Sequence, residues 1–156
     1  MIIKGYSLER LEVASRANIP QKNGFRDDLE LAKAWLRDCE TVHPRCCASE
    51  AFEMPSRLLD VGCVDPPSCV KLCEGMPSNT QYATLSHSWG SHQPLTLLNS
   101  NISQLKTRIE LADLPKTFHD AIGVARRLNI RYLWIDSLCI MQDSENDWLK
   151  ESALMY

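Results

Sequence analysis

The sequence predicts an α/β fold, with a partial parallel sheet in the second half of the chain and a less regular N-terminal extension. Three observations carry this. Residues 82–86 alternate in strand fashion, residues 115–128 repeat apolar side chains at helical spacing, and residues 132–135 form an unbroken apolar run. A strand covered on both faces reads as such a run, and two parallel strands joined by a helix form a right-handed crossover. The two strands are therefore expected side by side.

Taken in order, residues 1–23 show weak periodicity, and 1–26 read as a poorly ordered leader. Leu29, Ala32, Leu36 and Cys39 recur at helical spacing with Trp35 beside them. Asp27 and Asp28 place negative charge where a helix N-terminus favours it, so a helix is expected over 27–40. Residues 44–55 and 65–78 carry the punctuation of irregular connections. The short apolar-rich runs 57–61 and 69–73, bounded by Pro and Gly, are expected as strands in an antiparallel pair. Six of the eight prolines precede residue 82, which sets the segment 27–81 apart from 82–156. In the second half, Gly90 permits a tight exit from the first strand. Pro115 suits a first helical turn, Phe118, Ala121, Ile122, Ala125 and Leu128 share one face, and Asn129 suits a helix end. The second strand stops at Asp136, and Ser144 caps a last helix expected over 145–156.

Composition excludes several classes of function. The chain of 156 residues carries 17 Lys plus Arg against 20 Asp plus Glu, a formal charge of -3, and 44% hydrophobic residues. A general polyanion binder would be basic, so no nucleic-acid role is expected. Charge is even along the chain: 10 basic and 12 acidic residues up to position 81, then 7 and 8. No apolar run approaches the roughly 20 residues of a membrane helix, and Lys4, Glu9, Arg10 and Glu12 interrupt the start where a signal peptide would be apolar. The expected location is cytoplasmic.

Seven cysteines, six of them before residue 82, are odd in number, and reduced thiols are the expected state. The nearest approach to a metal signature is Cys39, His43, Cys46 and Cys47, followed by Cys63, Cys69 and Cys73. Zinc sites usually show tighter pairs. Small buried apolar cysteines are the alternative, and no bound metal is expected.

Ligands of open parallel sheets bind beyond the carboxyl ends of the strands. The two strands end in Ser86-His87-Ser88-Trp89-Gly90 and in Asp136-Ser137, so these groups should converge at one edge. An Asp there needs hydrogen-bond donors, and its alternative role is to cap a loop or helix end. Trp148, Glu151 and Met155 follow helical spacing, which sets a carboxylate beside an aromatic and an apolar residue. A buried Glu151 would suit acid/base or ribose-binding work; a surface Glu paired with Lys150 or Arg131 is the alternative. A Ser-His-Asp set can be assembled from Ser86 or Ser88, His87 or His119, and Asp136, but no Gly-x-Ser-x-Gly elbow supports it. Neither a Gly-x-Gly-x-x-Gly nor a Walker-type loop occurs. Cys139, in an apolar setting, reads as core.

Three ordered blocks carry a resemblance: Tyr82-Ala-Thr-Leu-Ser-His-Ser-Trp-Gly90, Leu114-Pro-Lys-Thr-Phe-His-Asp-Ala-Ile122, and Arg131-Tyr-Leu-Trp-Ile-Asp-Ser-Leu-Cys-Ile-Met-Gln-Asp143 with Asp147-Trp148 and Glu151. Residues 82–156 resemble the fungal heterokaryon incompatibility (HET) domain, a remote relative of TIR domains. The upstream Trp35-Leu36-x-x-Cys39-x-x-x-His43-x-x-Cys46 and Arg57-Leu-Leu-Asp60-Val are similar to the leader that commonly precedes such domains. The resemblance implies a partial flavodoxin/TIR-like parallel sheet. It implies a cytosolic effector of fungal non-self recognition and programmed cell death, with self-association or other HET or receptor proteins as partners and no resident cofactor. Through TIR relatives it also implies an alternative, NAD cleavage, with Glu151 as the catalytic residue and Ser86, His87, Trp89, Asp136 and Trp148 as ligand-binding residues. Position 88 is Ser, which argues against a thiol nucleophile. A third family block, rich in Arg, Trp, Gln and Glu, is expected beyond Tyr156, so the chain reads as the N-terminal part of a HET domain, truncated.

Overall fold

The computed structural model describes residues 2–4, 24–43, 53–62, 68–89 and 95–154. The chain divides into two compact units, Met1–Lys4 with Ala51–Tyr156, and Gly5–Glu50. In the latter, helix α1 (Gly24–Val42) extends beyond the expected 27–40 at both ends. Its inner stripe is the expected one: Leu29 is buried and Ala32, Leu36 and Cys39 are half-buried, while Trp35 is exposed.

Among the described residues the larger unit is built on six strands, β1 (Ile2–Lys4), β2 (Arg57–Asp60), β3 (Cys69–Glu74), β4 (Tyr82–Leu85), β5 (Ile109–Glu110) and β6 (Tyr132–Ile135), in the spatial order β1-β4-β6-β2-β3-β5. Helices α2 (Ile102–Thr107), α3 (Lys116–Arg127), α4 (Asp136–Cys139) and α5 (Glu145–Ala153) complete it. The α/β class is as expected. β4 and β6 run parallel, in register from Tyr82 opposite Tyr132 to Leu85 opposite Ile135, and α3 packs on β6. The parallel character is confined to this crossover unit. Strands β1, β2, β3 and β5 all pair antiparallel, which makes the sheet mixed.

β2 and β3 form the expected antiparallel pair, from Arg57 opposite Glu74 to Asp60 opposite Lys71. β6 hydrogen-bonds to β4 on one side and to β2 on the other, so strands from before and after residue 82 share one sheet. Every residue of β2 is buried, as a strand covered on both faces requires, and the core joins Leu58, Leu59, Val61, Val70 and Leu72 to Ala83, Phe118, Ile122, Ala125, Leu133 and Leu138. Polar struts reinforce the seam. Arg126 donates from Nε to the Val61 carbonyl at 2.6 Å and from its terminal nitrogen to the Cys69 carbonyl at 3.2 Å. Arg131 clasps the Asp60 carboxylate with two hydrogen bonds of 2.8 and 3.1 Å.

Helix ends follow local chemistry. α3 stops in a Schellman arrangement: Asn129 takes φ 59, its N–H reaches the Arg126 carbonyl and the Ile130 N–H reaches the Ala125 carbonyl. Ser144 caps α5, its side chain accepting from the Asp147 N–H. One expectation for the leader is corrected: Ile2–Lys4 is a strand, paired with β4. The pairing is set by a distant partner, which local periodicity does not register. Residues 5–23, Gly90 and Met155 lie outside the described residues, as do Cys46, Cys47 and Cys63 of the cysteine-rich stretch. Among the described residues no helix is long and apolar enough to cross a membrane.

Candidate functional site at the ends of β4 and β6

The parallel register of β4 and β6 brings their carboxyl ends level, so the segments that leave them meet. Asp136, the first residue after β6, has a side chain 28% exposed. Its Oδ1 accepts from the Ser137 N–H at 2.7 Å and its Oδ2 from the Trp89 indole Nε1 at 2.9 Å. A carboxylate at a strand end is thereby supplied with the donors it needs, one local and one brought by the other strand. His87 Nδ1 lies 3.8 Å from Asp136 Oδ1. The His87 ring meets Phe118 of α3 edge-on, with centroids 5.0 Å apart and planes at 87°. Ser86 and Ser88 flank it and are exposed.

His87 is the unusual member. Its side chain is only 8% exposed, yet neither ring nitrogen has a hydrogen-bond partner among the described residues. The Ser137 hydroxyl and the Trp134 indole N–H are also buried and unpartnered. A buried donor left unsatisfied costs about 1–3 kcal/mol, so each such group calls for a physical reason. Because His87 bonds to neither serine, the Ser-His-Asp set is not assembled. His119 is committed elsewhere, its ring N–H donating to the Leu111 carbonyl.

The floor of the site is tied down by the motif that follows β6. The Leu97 N–H donates to the Ser137 carbonyl at 2.8 Å and the Gln142 N–H to the Leu97 carbonyl at 2.9 Å. Gln142 Nε2 reaches the Asp136 and Ile140 carbonyls at 3.2 and 3.0 Å. Asp143 accepts from the Asn99 N–H at 3.0 and 3.1 Å. Cys139, the last residue of α4, is fully buried, and burial pushes its thiol up to about 12, as suits a core residue.

Glu151 is held by other partners, and Trp148 lies in solvent. Glu151 is 1% exposed, and both carboxylate oxygens accept from the Ser56 N–H, at 3.1 and 3.3 Å. Of the two alternatives the sequence left open for Glu151, the carboxylate is buried, and the group that holds it is the backbone entering β2. Trp148 is 51% exposed on α5. Beside Glu151, Arg57 is buried: its Nε donates to the Cys139 carbonyl at 2.8 Å and its terminal nitrogen pairs with Asp147, which also accepts from the Met141 N–H at 2.8 Å. Sequence reasoning missed both Arg57 and the role of Phe118. The first sits inside an ordinary strand run and the second inside an ordinary helical stripe, so neither carries a local signal. Of the cysteines and histidine weighed as zinc ligands, Cys39 is half-buried and His43 exposed, while Cys69 lies buried in the sheet. Among the described residues no group of three or more His, Cys, Asp or Glu is placed to hold a metal.

No curated protein and no solved structure shows significant similarity to the chain. The family model of the heterokaryon incompatibility protein (HET) matches residues 82–156, the stretch that begins at the first residue of β4 and contains His87, Trp89, Phe118, Asp136 and Glu151. Over residues 82–156, just under half of the chain, the sequence is thus similar to the heterokaryon incompatibility (HET) family.

Proposed function

We propose that this chain is a cytosolic effector of fungal non-self recognition that drives programmed cell death through regulated self-association. The HET match over residues 82–156 carries the reading. A surface feature supports it: the consecutive residues Trp148 and Leu149 of α5 are exposed, at 51% and 56%, on a helix whose Glu151 is buried. Adjacent large apolar side chains left in solvent favour contact with another protein surface. Light scattering after size exclusion tests the reading. Concentration-dependent association, alone or with an intact HET domain, is expected; a strict monomer at high concentration that pairs with no HET domain overturns it.

A second reading, TIR-like cleavage of NAD, is favoured by the buried, unpartnered His87 beside Asp136. In this reading Ser86, His87 and Asp136 orient the ribose or phosphates, and Trp89 stacks on a base, with Trp148 as a further stacking residue. Glu151 would stabilise positive charge developing at the anomeric carbon, for which its carboxylate must leave the Ser56 N–H. NAD consumption is the assay. An inactive chain, or one whose turnover is unchanged by both Glu151→Gln and Asp136→Asn, removes the enzymatic reading.

A further inference from the structure

We propose that β1 is an exchangeable edge strand: in the self-associated state, Ile2–Lys4 of one copy pairs with β4 of a second copy, in the register it adopts within a single chain. The inference rests on the self-association reading above and names the surface that would carry it.

β1 is three residues long and, among the described residues, pairs with β4 alone, at Ile2–Thr84, Ile3–Ala83 and Lys4–Tyr82. Few ladder hydrogen bonds hold it in place. It belongs to the compact unit of the sheet, yet it is joined to the rest of that unit through residues 5–50, which form a unit of their own. A long connection lowers the effective concentration at which a chain presents its own strand, so a neighbour's strand competes once copies are gathered together. The edge beneath is a good acceptor. β4 is fixed on its other side by the parallel pairing with β6, and its Tyr82 and Ala83 are buried, so release of β1 leaves a rigid row of backbone N–H and C=O groups open. A second copy is the occupant because the contact made between chains is the one already made within a chain; exchange of an identical element is a low-cost route to association. The same β4 continues into His87 and Trp89, so exchange would bring a partner's strand alongside the strand that ends in the candidate site.

The test uses Ile3 and Ala83, which are register partners at a spacing a disulfide spans. Differently tagged Ile3→Cys and Ala83→Cys proteins are mixed under mild oxidation, and the 3–83 link is mapped by mass spectrometry. The double variant, linked within one chain, is compared with the parent by light scattering, and circular dichroism melts report folding. The expected results are a 3–83 link between differently tagged copies, loss of association in the internally linked double variant, and recovery on reduction. An excess of a synthetic peptide of residues 1–8 should also disperse the unmodified protein, a readout that needs no substitution. If the parent associates, the linked variant associates equally and the peptide has no effect, strand exchange is refuted while self-association stands. A parent that stays monomeric at all concentrations overturns both.

Discussion

Removing residues 1–81 should leave a HET segment that does not fold on its own. The deletion strips β6 of its β2 neighbour and takes away Leu58, Leu59, Val61, Val70 and Leu72, each at most 2% exposed. A fully buried aliphatic side chain contributes about 1.5–3 kcal/mol, so these five amount to about 8–15 kcal/mol, an upper figure because denatured chains already bury part of this area. That equals the whole net stability of a typical domain, about 5–15 kcal/mol. The cut also removes polar partners that hold the hairpin, one of them at the fully buried Glu151. Asp147 loses Arg57, Glu151 loses the Ser56 N–H, and Arg131 loses Asp60. Urea titration followed by far-UV circular dichroism is the assay: residues 82–156 should show no cooperative transition, whereas residues 51–156 should show one. A cooperative transition in 82–156, with a slope fitting its length, would refute the argument that the β2–β3 hairpin is integral to the fold.

Arg57→Met should destabilise the 51–156 unit by about 3–5 kcal/mol, because it leaves Asp147 without its buried partner; a loss below about 1 kcal/mol in urea would mean that solvent already screens the pair. Glu151→Ala should cost about 1–3 kcal/mol by orphaning the Ser56 N–H, and Glu151→Gln, which keeps an acceptor oxygen, less; equal losses would show that packing and not hydrogen bonding is at work. Asp60 supplies a pH signature. Burial alone would raise its carboxyl, but the Arg131 hydrogen bond, the Gly62 N–H and the charges of Arg131 and Lys71 outweigh burial and hold it below the ordinary 3.8. A depressed carboxyl adds stability that is present above the ordinary value and is lost as pH falls through the folded one. Asp60→Asn should therefore flatten the decline of melting temperature below about pH 4; an unchanged acid limb would assign that decline to other groups.

Elements whose cause is local were legible in the sequence. The α3 stripe, the Asn129 stop, the Ser144 cap and the apolar β6 run each follow from neighbouring residues, and the structure places all of them where the pattern does. Order in the sheet was not legible, because β2 sits beside β6 through ladder bonds between residues more than 70 positions apart in the chain. β1, β5 and α2 are two to six residues long, too short to set up a period. The meeting of His87, Trp89 and Asp136 followed from the crossover rule. The position of Glu151 did not, since helical spacing says which side of α5 it occupies but not that Ser56 waits there.

β6 lies between one neighbour running with it and one running against it. At its carboxyl end the chain therefore leaves β4 but enters β2, and two kinds of sequence meet there. One side comes from the family motifs after β4 and β6; the other comes from Ser56 and Arg57, upstream of the family match. Variation in that upstream entry can change the partners of Glu151 and Asp147 while the motif residues stay untouched. Two proteins with identical HET blocks can thus differ in how firmly this end of the sheet holds α5, and the difference would be written in the segment upstream of the family match.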